Sequence, residues 1–328
     1  MLIFDVAATS LIPLGVRKTA TSNIKIVTQT SHITNRMNAQ DKNPPKLRIA
    51  VQKSGRLLNE SIALLKECGI RIDNGRDQLK ASARNFPVEV LYLRNSDIPQ
   101  YIQDGVADIG IVGENTLIEK DKKVDIKLPL GFSRCRLSLA TPKGMTYDGP
   151  KSLNGKRIAT SYPISLQQFL DKEGISAEIH EISGSVEIAP NIGLADAICD
   201  LVSTGSTLFK NGLEEQDIVL KSEAVIAASP KIDAARSAIL DKLLFRIKSV
   251  LAAKDKSYLL MNAPNDRVKE IIKLLPGMRS PTVLPLAEAG WSSVHTVIAE
   301  DKFWDIIDQL RQAGAEGILI IPIDKMIL

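Results

Sequence analysis

The sequence predicts an α/β protein of two similar lobes followed by a smaller C-terminal unit. Three observations lead there. Short apolar runs alternate with amphipathic stretches from Leu47 onward, a second set of the same kind begins near residue 142, and the segment from about Lys256 follows the order βαββαβ. In the first set Leu47–Val51, Val88–Leu93 and Asp108–Val112 read as strands, and Leu57–Cys68 and Ser96–Asp104 as helices, a doubly wound pattern. Turn signals at Lys143-Gly144 and Asp148-Gly149-Pro150 separate the sets. In the second set Lys156–Thr160 and Ala177–Ile182 read as strands around a helix at Ser165–Lys172, and the apolar run before Ser203 as a buried strand. Two such lobes imply a ligand cleft between them. In the last unit Ser257–Asn262, Thr282–Leu286, Ser293–Ala299 and Gly317–Pro322 read as strands. Its helices are Pro264–Leu275, with proline in the first turn, and Lys302–Ala313, ended by Gly314.

Composition narrows the function classes. The chain has 328 residues, 44% hydrophobic and 4% aromatic, which suits a soluble protein of two or three domains with an aliphatic core. No window approaches the roughly 18 consecutive apolar residues of a membrane span. Of the net charge of +4, residues 1–36 supply +3 through Arg17, Lys18, Lys25 and Arg36 against Asp5. The body is therefore nearly neutral and carries no basic stripe, which argues against nucleic acid. Cys68, Cys135 and Cys199 are scattered and odd in number, so they read as thiols in a reducing cytoplasm. His32, His180 and His295 are equally dispersed and suit structural roles. Residues 1–45 are rich in Ser, Thr and Asn and poor in acids. They fit a transit peptide or an upstream start, with Met37 as the preferred native start, and in either case are expected to be disordered and dispensable.

The stretch Ala195-Asp-Ala-Ile-Cys-Asp-Leu-Val-Ser-Thr-Gly-Ser-Thr-Leu208 carries the most chemistry. A buried strand runs into a hydroxyl-rich glycine turn and a helical segment. Such a turn aims backbone N–H groups, hydroxyls and a helix N-terminus at one point, a cradle for phosphate. Asp196 and Asp200, four apart, can share one strand face and grip sugar hydroxyls or a magnesium ion. Ordinary helix capping by the same hydroxyls is the competing reading. No Gly-Lys-Ser/Thr follows, so the turn is not a Walker loop.

This stretch resembles the phosphoribosyl-pyrophosphate loop of the ATP phosphoribosyltransferase family, the first enzymes of histidine biosynthesis. Leu47-Arg-Ile-Ala-Val-Gln-Lys-Ser-Gly-Arg56, Ala107-Asp-Ile-Gly-Ile-Val-Gly-Glu-Asn115, Cys135-Arg-Leu-Ser-Leu-Ala140 and Asn154-Gly-Lys-Arg-Ile-Ala-Thr-Ser-Tyr-Pro163 match other family motifs, in order, from about residue 46 to the C-terminus. The C-terminal unit resembles the regulatory domain of the long, hexameric, histidine-regulated form.

The resemblance implies a bilobal catalytic core of the type II periplasmic-binding-protein kind and a ferredoxin-like (ACT-like) regulatory domain. Lobe I is expected at 46–141 and 217–252, lobe II at 142–216, and the regulatory domain at 253–328. It implies transfer of the phosphoribosyl group of 5-phosphoribosyl pyrophosphate to N1 of ATP in the cytoplasm. Magnesium would be held mainly by substrate phosphates, with no fixed protein ligands. Asp196 and Asp200 are the expected catalytic carboxylates. Ser203, Thr204, Gly205, Ser206 and Thr207 are expected to hold the ribose 5-phosphate, and Lys53, Gly55 and Arg56 the triphosphate or pyrophosphate. Asp108, Gly113, Arg136 and Glu187 are weaker substrate-contact candidates. Asn262, Thr282, Val297 and Gly317 are the expected histidine-binding positions, with Asn262 standing where some relatives have Asp. AMP is a possible second inhibitor, and a dimer or hexamer the expected assembly. A bilobal solute binder fused to an amino-acid sensor, or a phosphoribosyltransferase for another acceptor base, are the alternatives.

Overall fold

The computed structural model describes residues 44–73, 79–275 and 280–328. The expected N-terminal extension lies almost wholly outside them. In chain order the elements are β1 (Leu47–Gln52), α1 (Arg56–Glu67), β2 (Lys80–Ser82), β3 (Val88–Leu93), α2 (Ile98–Gln103), β4 (Ile109–Gly113), α3 (Glu114–Lys120), β5 (Asp125–Pro129) and β6 (Cys135–Pro142). There follow β7 (Arg157–Thr160), α4 (Pro163–Glu173), β8 (Glu178–Glu181), β9 (Ala197–Val202), α5 (Ser206–Lys210), β10 (Leu213–Ser222), β11 (Ala224–Ala228) and α6 (Ala234–Ala253). The last unit is β12 (Lys256–Pro264), α7 (Val268–Leu274), β13 (Thr282–Pro285), β14 (Trp291–Ala299), α8 (Glu300–Gln312) and β15 (Glu316–Pro322).

Each lobe is a sheet with three parallel strands in the order second-first-third, followed by two strands joined by antiparallel pairing, and lobe I adds the short antiparallel β2 at its outer edge. Lobe I runs β2-β3-β1-β4-β11-β5 and lobe II β10-β6-β9-β7-β8. Central parallel strands are covered on both faces, so β1 is apolar apart from Arg48 and its last residue, with Leu47, Ile49, Ala50 and Val51 fully buried. Helix α1 buries Leu57, Ser61, Leu64 and Leu65 against that sheet, and α6 packs Ile239, Leu240, Leu243 and Ile247 into the same core.

The lobe boundaries differ from those expected at 141 and 217. Strands β6 and β10 pair with each other and both belong to the second sheet. The chain therefore crosses between Leu130 and Cys135 and returns at Glu223. The reason lies in β6, whose Leu137, Leu139 and Ala140 are fully buried in the second lobe's core, so the turn at Lys143-Gly144 falls inside that lobe.

The C-terminal unit is a four-stranded antiparallel sheet, β13-β14-β12-β15, with α7 and α8 on one face. Leu259, Met261, Ala263, Val294 and Ile298 meet Ile271, Phe303 and Leu310 in its core. The helix expected from Pro264 begins only at Val268, because Pro264 ends β12 opposite Trp291 and the Arg267 N–H closes a turn on its carbonyl (2.9 Å). Beyond β15 the tail turns back to α6, where the Met326 N–H donates to the Ser249 carbonyl (2.8 Å).

Candidate active site

Both lobes are braced by the same device. In lobe I, Asp108 precedes β4 and accepts from the backbone N–H of Arg48 (2.7 Å), from its Nε (3.2 Å) and from its Nη2 (2.8 Å), while Nη2 also reaches the Gly105 carbonyl. In lobe II, Asp196 precedes β9 and accepts from the Arg157 N–H (2.9 Å), Nε (3.4 Å) and Nη2 (3.0 Å), while Nη1 reaches the Gly193 carbonyl. Each aspartate ties the start of its lobe's first strand to the parallel strand beside it. The Arg157 guanidinium hydrogen bond holds the Asp196 carboxyl below its ordinary range. These contacts correct two expectations. Asp108 is not a cleft group, and Asp196 does not act beside Asp200, since it sits at the opposite end of β9, about 13 Å of strand away.

The cleft forms where the carboxyl end of β9 faces the carboxyl end of β1. The loop after β9 turns at Gly205, whose φ of +78° suits glycine, and exposes the hydroxyls of Ser203, Thr204, Ser206 and Thr207. Thr204 Oγ1 and Ser206 Oγ lie 3.2 Å apart and so face one point. From the other lobe, Arg56 at the start of α1 donates through Nη1 to Ser203 Oγ at 3.4 Å. Lys53 and Gly55 belong to the same exposed loop, with the Lys53 N–H donating to the Leu93 carbonyl (2.8 Å). A hollow of about 420 Å³ opens beside these loops, lined by Glu114, Arg134, Arg136, Ser203, Lys221 and Ser222. Its charges are mixed: Glu223 also lines it and pairs with Arg134 (3.6 Å), and Arg136 is held by Glu215.

Arg136 braces the cleft instead of offering a free anion contact. Its guanidinium is paired in bidentate fashion with Glu215, which also accepts from Ser138 Oγ (2.7 Å), and its Nη1 donates to the Ser203 carbonyl (3.2 Å). Gly113 likewise has a packing reason. A Cβ there would lie 2.4 Å from Asn115 Oδ1, so glycine lets the Asn115 side chain fold back over the strand end.

Asp200 lies within β9 two residues, one repeat of the pleat, before Val202 and accepts from the Leu201 N–H (2.7 Å). Burial pushes its carboxyl up to about 6, and the nearby Glu187 charge adds to the rise. A desolvated carboxylate with another carboxylate beside it is a group prepared for a cation or for hydroxyl donors. Glu187, in the one-turn helix at Val186–Ile188, is thus brought to the same place. Burial also lifts the Tyr162 phenol to about 12, with the Asp200 charge adding to it.

Several groups here have no local sequence signal. Ser222, at the end of β10, exchanges hydrogen bonds with Asn115, accepting from its N–H (3.0 Å) and donating to Oδ1 (2.9 Å). Glu119 of α3 reaches across to lobe II. Their partners lie far along the chain, so neither spacing nor periodicity could reveal them.

In the C-terminal unit, strand pairing puts Asn262, Thr282 and Val297 on the sheet face away from α7 and α8. Thr282 lies opposite His295, and Val297 opposite Tyr258. Gly317 sits at a break in the β12–β15 register, where a Cβ would lie 3.2 Å from Asn262 Nδ2. Tyr258 Oη and Ser293 Oγ flank the His295 ring at 2.8 and 2.9 Å.

Comparison with known proteins bears on the whole arrangement. Residues 94–249 match the family model described as "HisG: ATP phosphoribosyltransferase", and residues 253–325 that described as "HisG, C-terminal domain". A protein named ATP phosphoribosyltransferase from Cytophaga hutchinsonii is 58% identical over 281 residues, covering 86% of this chain and 98% of its own. One of the same name from Phocaeicola vulgatus is 56% identical over 282 residues, covering 86% of this chain and all of its own. Among solved structures, the ATP phosphoribosyl transferase (HisG:HisZ) complex from Thermotoga maritima superposes with a TM-score of 0.53 at 30% identity, over 62% of this chain and 98% of that one.

Proposed function

The chain belongs to the ATP phosphoribosyltransferase family, and from that premise we propose that its interlobe cleft is where N1 of ATP is joined to C1 of 5-phosphoribosyl pyrophosphate, the first step of histidine biosynthesis. The observation that supports this siting is the meeting of Arg56 from one lobe with Ser203 from the other, beside the raised carboxyl of Asp200. The phosphate loop Ser203–Thr207 holds the ribose 5-phosphate through hydroxyls and amides. Arg56 and Lys53 face the polyphosphate, Arg56 as a planar fork and Lys53 as a point charge. Asp200 accepts from the ribose hydroxyls. Two polyanions held in line need positioning and charge neutralisation more than proton transfer.

A divalent cation, read here as magnesium, fits the donors present. Among the described residues no three of His, Cys, Asp and Glu form a metal cage. Asp200 offers carboxylate oxygen to an ion that keeps its waters and is held mainly by the substrate's phosphates. When bound it neutralises the departing pyrophosphate. The cytoplasm is the proposed location. No helix among the described residues is long and apolar enough to cross a membrane.

The test is pyrophosphate release by the full chain with ATP, 5-phosphoribosyl pyrophosphate and magnesium. Release dependent on both substrates is expected. A folded sample that binds ligand without turnover would return the solute-binder reading, and turnover with another base in place of ATP would return the second alternative.

The C-terminal unit is proposed to bind histidine as feedback inhibitor, with AMP as a second inhibitor and a homo-oligomer, dimer or hexamer, as the working assembly. Inhibition should leave ATP and phosphoribosyl-pyrophosphate binding uncompeted, since the site lies in another unit. Asn262→Asp should tighten histidine inhibition by about tenfold, because a carboxylate bonds an ammonium group more strongly than a neutral amide does. An unchanged inhibition constant, measured by titrating histidine against turnover, would remove Asn262 from the pocket.

A further inference from the structure

Helix α4 begins without a cap of its own. Its N-cap residue, Tyr162, offers no side-chain hydrogen bond to the first turn, and Pro163 follows directly. The missing acceptors come from the other lobe. Glu119, on α3 of lobe I and 8% exposed, accepts from the Ile164 N–H (2.9 Å), the Ser165 N–H (2.9 Å) and Ser165 Oγ (2.8 Å). A carboxylate at a helix N-terminus satisfies orphan donors and meets the positive end of the helix dipole. Here that interaction joins two bodies that are covalently linked through the crossing segments at 130–135 and 222–224 and that also meet at the exposed Arg56–Ser203 hydrogen bond (3.4 Å).

Helix α3 is built for this role. Asn115, Thr116, Leu117 and Glu119 are all buried, so the helix is enclosed rather than solvated on one face. Its first turn is fixed to the return strand by the reciprocal Asn115–Ser222 hydrogen bonds. Because α3 follows β4 and α4 follows β7, the contact joins the carboxyl-end faces of the two sheets, the faces that bound the cleft.

We infer that Glu119 is an interlobe latch, a positioning residue that fixes lobe II against lobe I so that Arg56 and the phosphate loop stay within reach. It touches no substrate and acts through the lobe spacing. The effect on turnover rests on the cleft being the site of phosphoribosyl transfer, whereas the latch itself is a statement about geometry.

The experiment pairs a distance with a kinetic split. Spin labels at Val106→Cys in lobe I and Lys172→Cys in lobe II, both exposed positions, report lobe separation in the full chain diluted with unlabelled chain. The labelled wild type without the added cysteines serves as background. Glu119→Gln keeps the shape of the side chain but sets an amide N–H₂ against donors. It should lengthen or broaden the interlobe distance and raise KM for 5-phosphoribosyl pyrophosphate about tenfold, with kcat changed less than about threefold. Ser165→Ala, which removes one donor and leaves the backbone contacts, should move both readouts the same way by a smaller amount. Should Glu119→Gln fail to fold, Ser165→Ala carries the test alone. Unchanged distance and KM in folded variants would overturn the latch, as would a fall in kcat at constant KM. Wild-type turnover tests the functional reading separately, and the distance measurement needs no turnover.

Discussion

Asp200→Asn should make the ligand-free protein more stable and the enzyme much worse. Burial raises the Asp200 carboxyl to about 6. A carboxyl whose folded pKa lies above its unfolded value contributes stability fully below the unfolded value and loses it as pH rises through about 6. At pH 7.5 the ionised group is therefore a burden on the order of 2 kcal/mol, which a neutral amide of the same shape removes. Thermal unfolding without ligands should show a higher melting temperature for the variant at pH 7.5, and the difference should shrink toward pH 5. Turnover should move the other way. Losing a charged acceptor for ribose hydroxyls and the cation costs about 10²-fold in kcat/KM. For the wild type, substrate must find Asp200 ionised, so KM for 5-phosphoribosyl pyrophosphate should rise about tenfold per pH unit below pH 6, a limb that the variant lacks. A variant with normal kcat/KM, or one with the same acid limb, would take Asp200 out of the site.

The second large effect separates the two lobe braces. Asp108 is 3% exposed and holds the Arg48 N–H and guanidinium, with Arg236 Nε a further 3.5 Å away. Asp108→Ala takes the acceptor from the Arg48 N–H and Nε and leaves the Gly105 carbonyl as the guanidinium's remaining partner, which costs about 2–3 kcal/mol. The Asp196 side chain is a third exposed, so water can replace it, and Asp196→Ala should cost about 1 kcal/mol. Urea midpoints would show the contrast. In a folded Asp196→Ala protein, kcat should stay within about threefold of wild type, because Asp196 lies about 13 Å of strand from Asp200. A loss of 10²-fold at full stability would restore Asp196 as a catalytic group.

The order of elements was legible because strand and helix periods differ and because central parallel strands are mostly apolar. The turn at Ser203–Thr207 was legible as a turn because its glycine and hydroxyl residues are contiguous in the chain. Asp108 and Asp196 were misread for one physical reason. A charge beside an apolar run needs a partner, and a ligand was assumed where an arginine of the chain stands 60 or 39 positions earlier. The clue was present in the repetition of Arg48-Ile-Ala with Gly105-Val-Ala-Asp108 in Arg157-Ile-Ala with Gly193-Leu-Ala-Asp196. Two copies of one local pattern in two copies of one sheet mark a structural tie, since a tie between neighbouring strands is needed in both lobes. Lobe boundaries were misplaced for a related reason: turn residues announce a reversal but not whether the chain changes bodies there. Glu119 was beyond reach, because two of its three partners are backbone amides that any sequence would supply.

The return of the tail to α6 has a mechanical consequence. The small C-terminal unit is attached where α6 runs into β12 and again where Met326 meets Ser249, a turn earlier on the same helix. A body on one joint can swivel in any direction, whereas a body on two neighbouring joints can only rock about the line between them. Strain placed on its sheet is delivered along α6 as a push or a tilt, not dissipated in rotation. Helix α6 packs on the core beneath β1, and β1 leads into the loop that carries Arg56. The unit is hinged to the catalytic core like a door on two pins rather than a bead on a string.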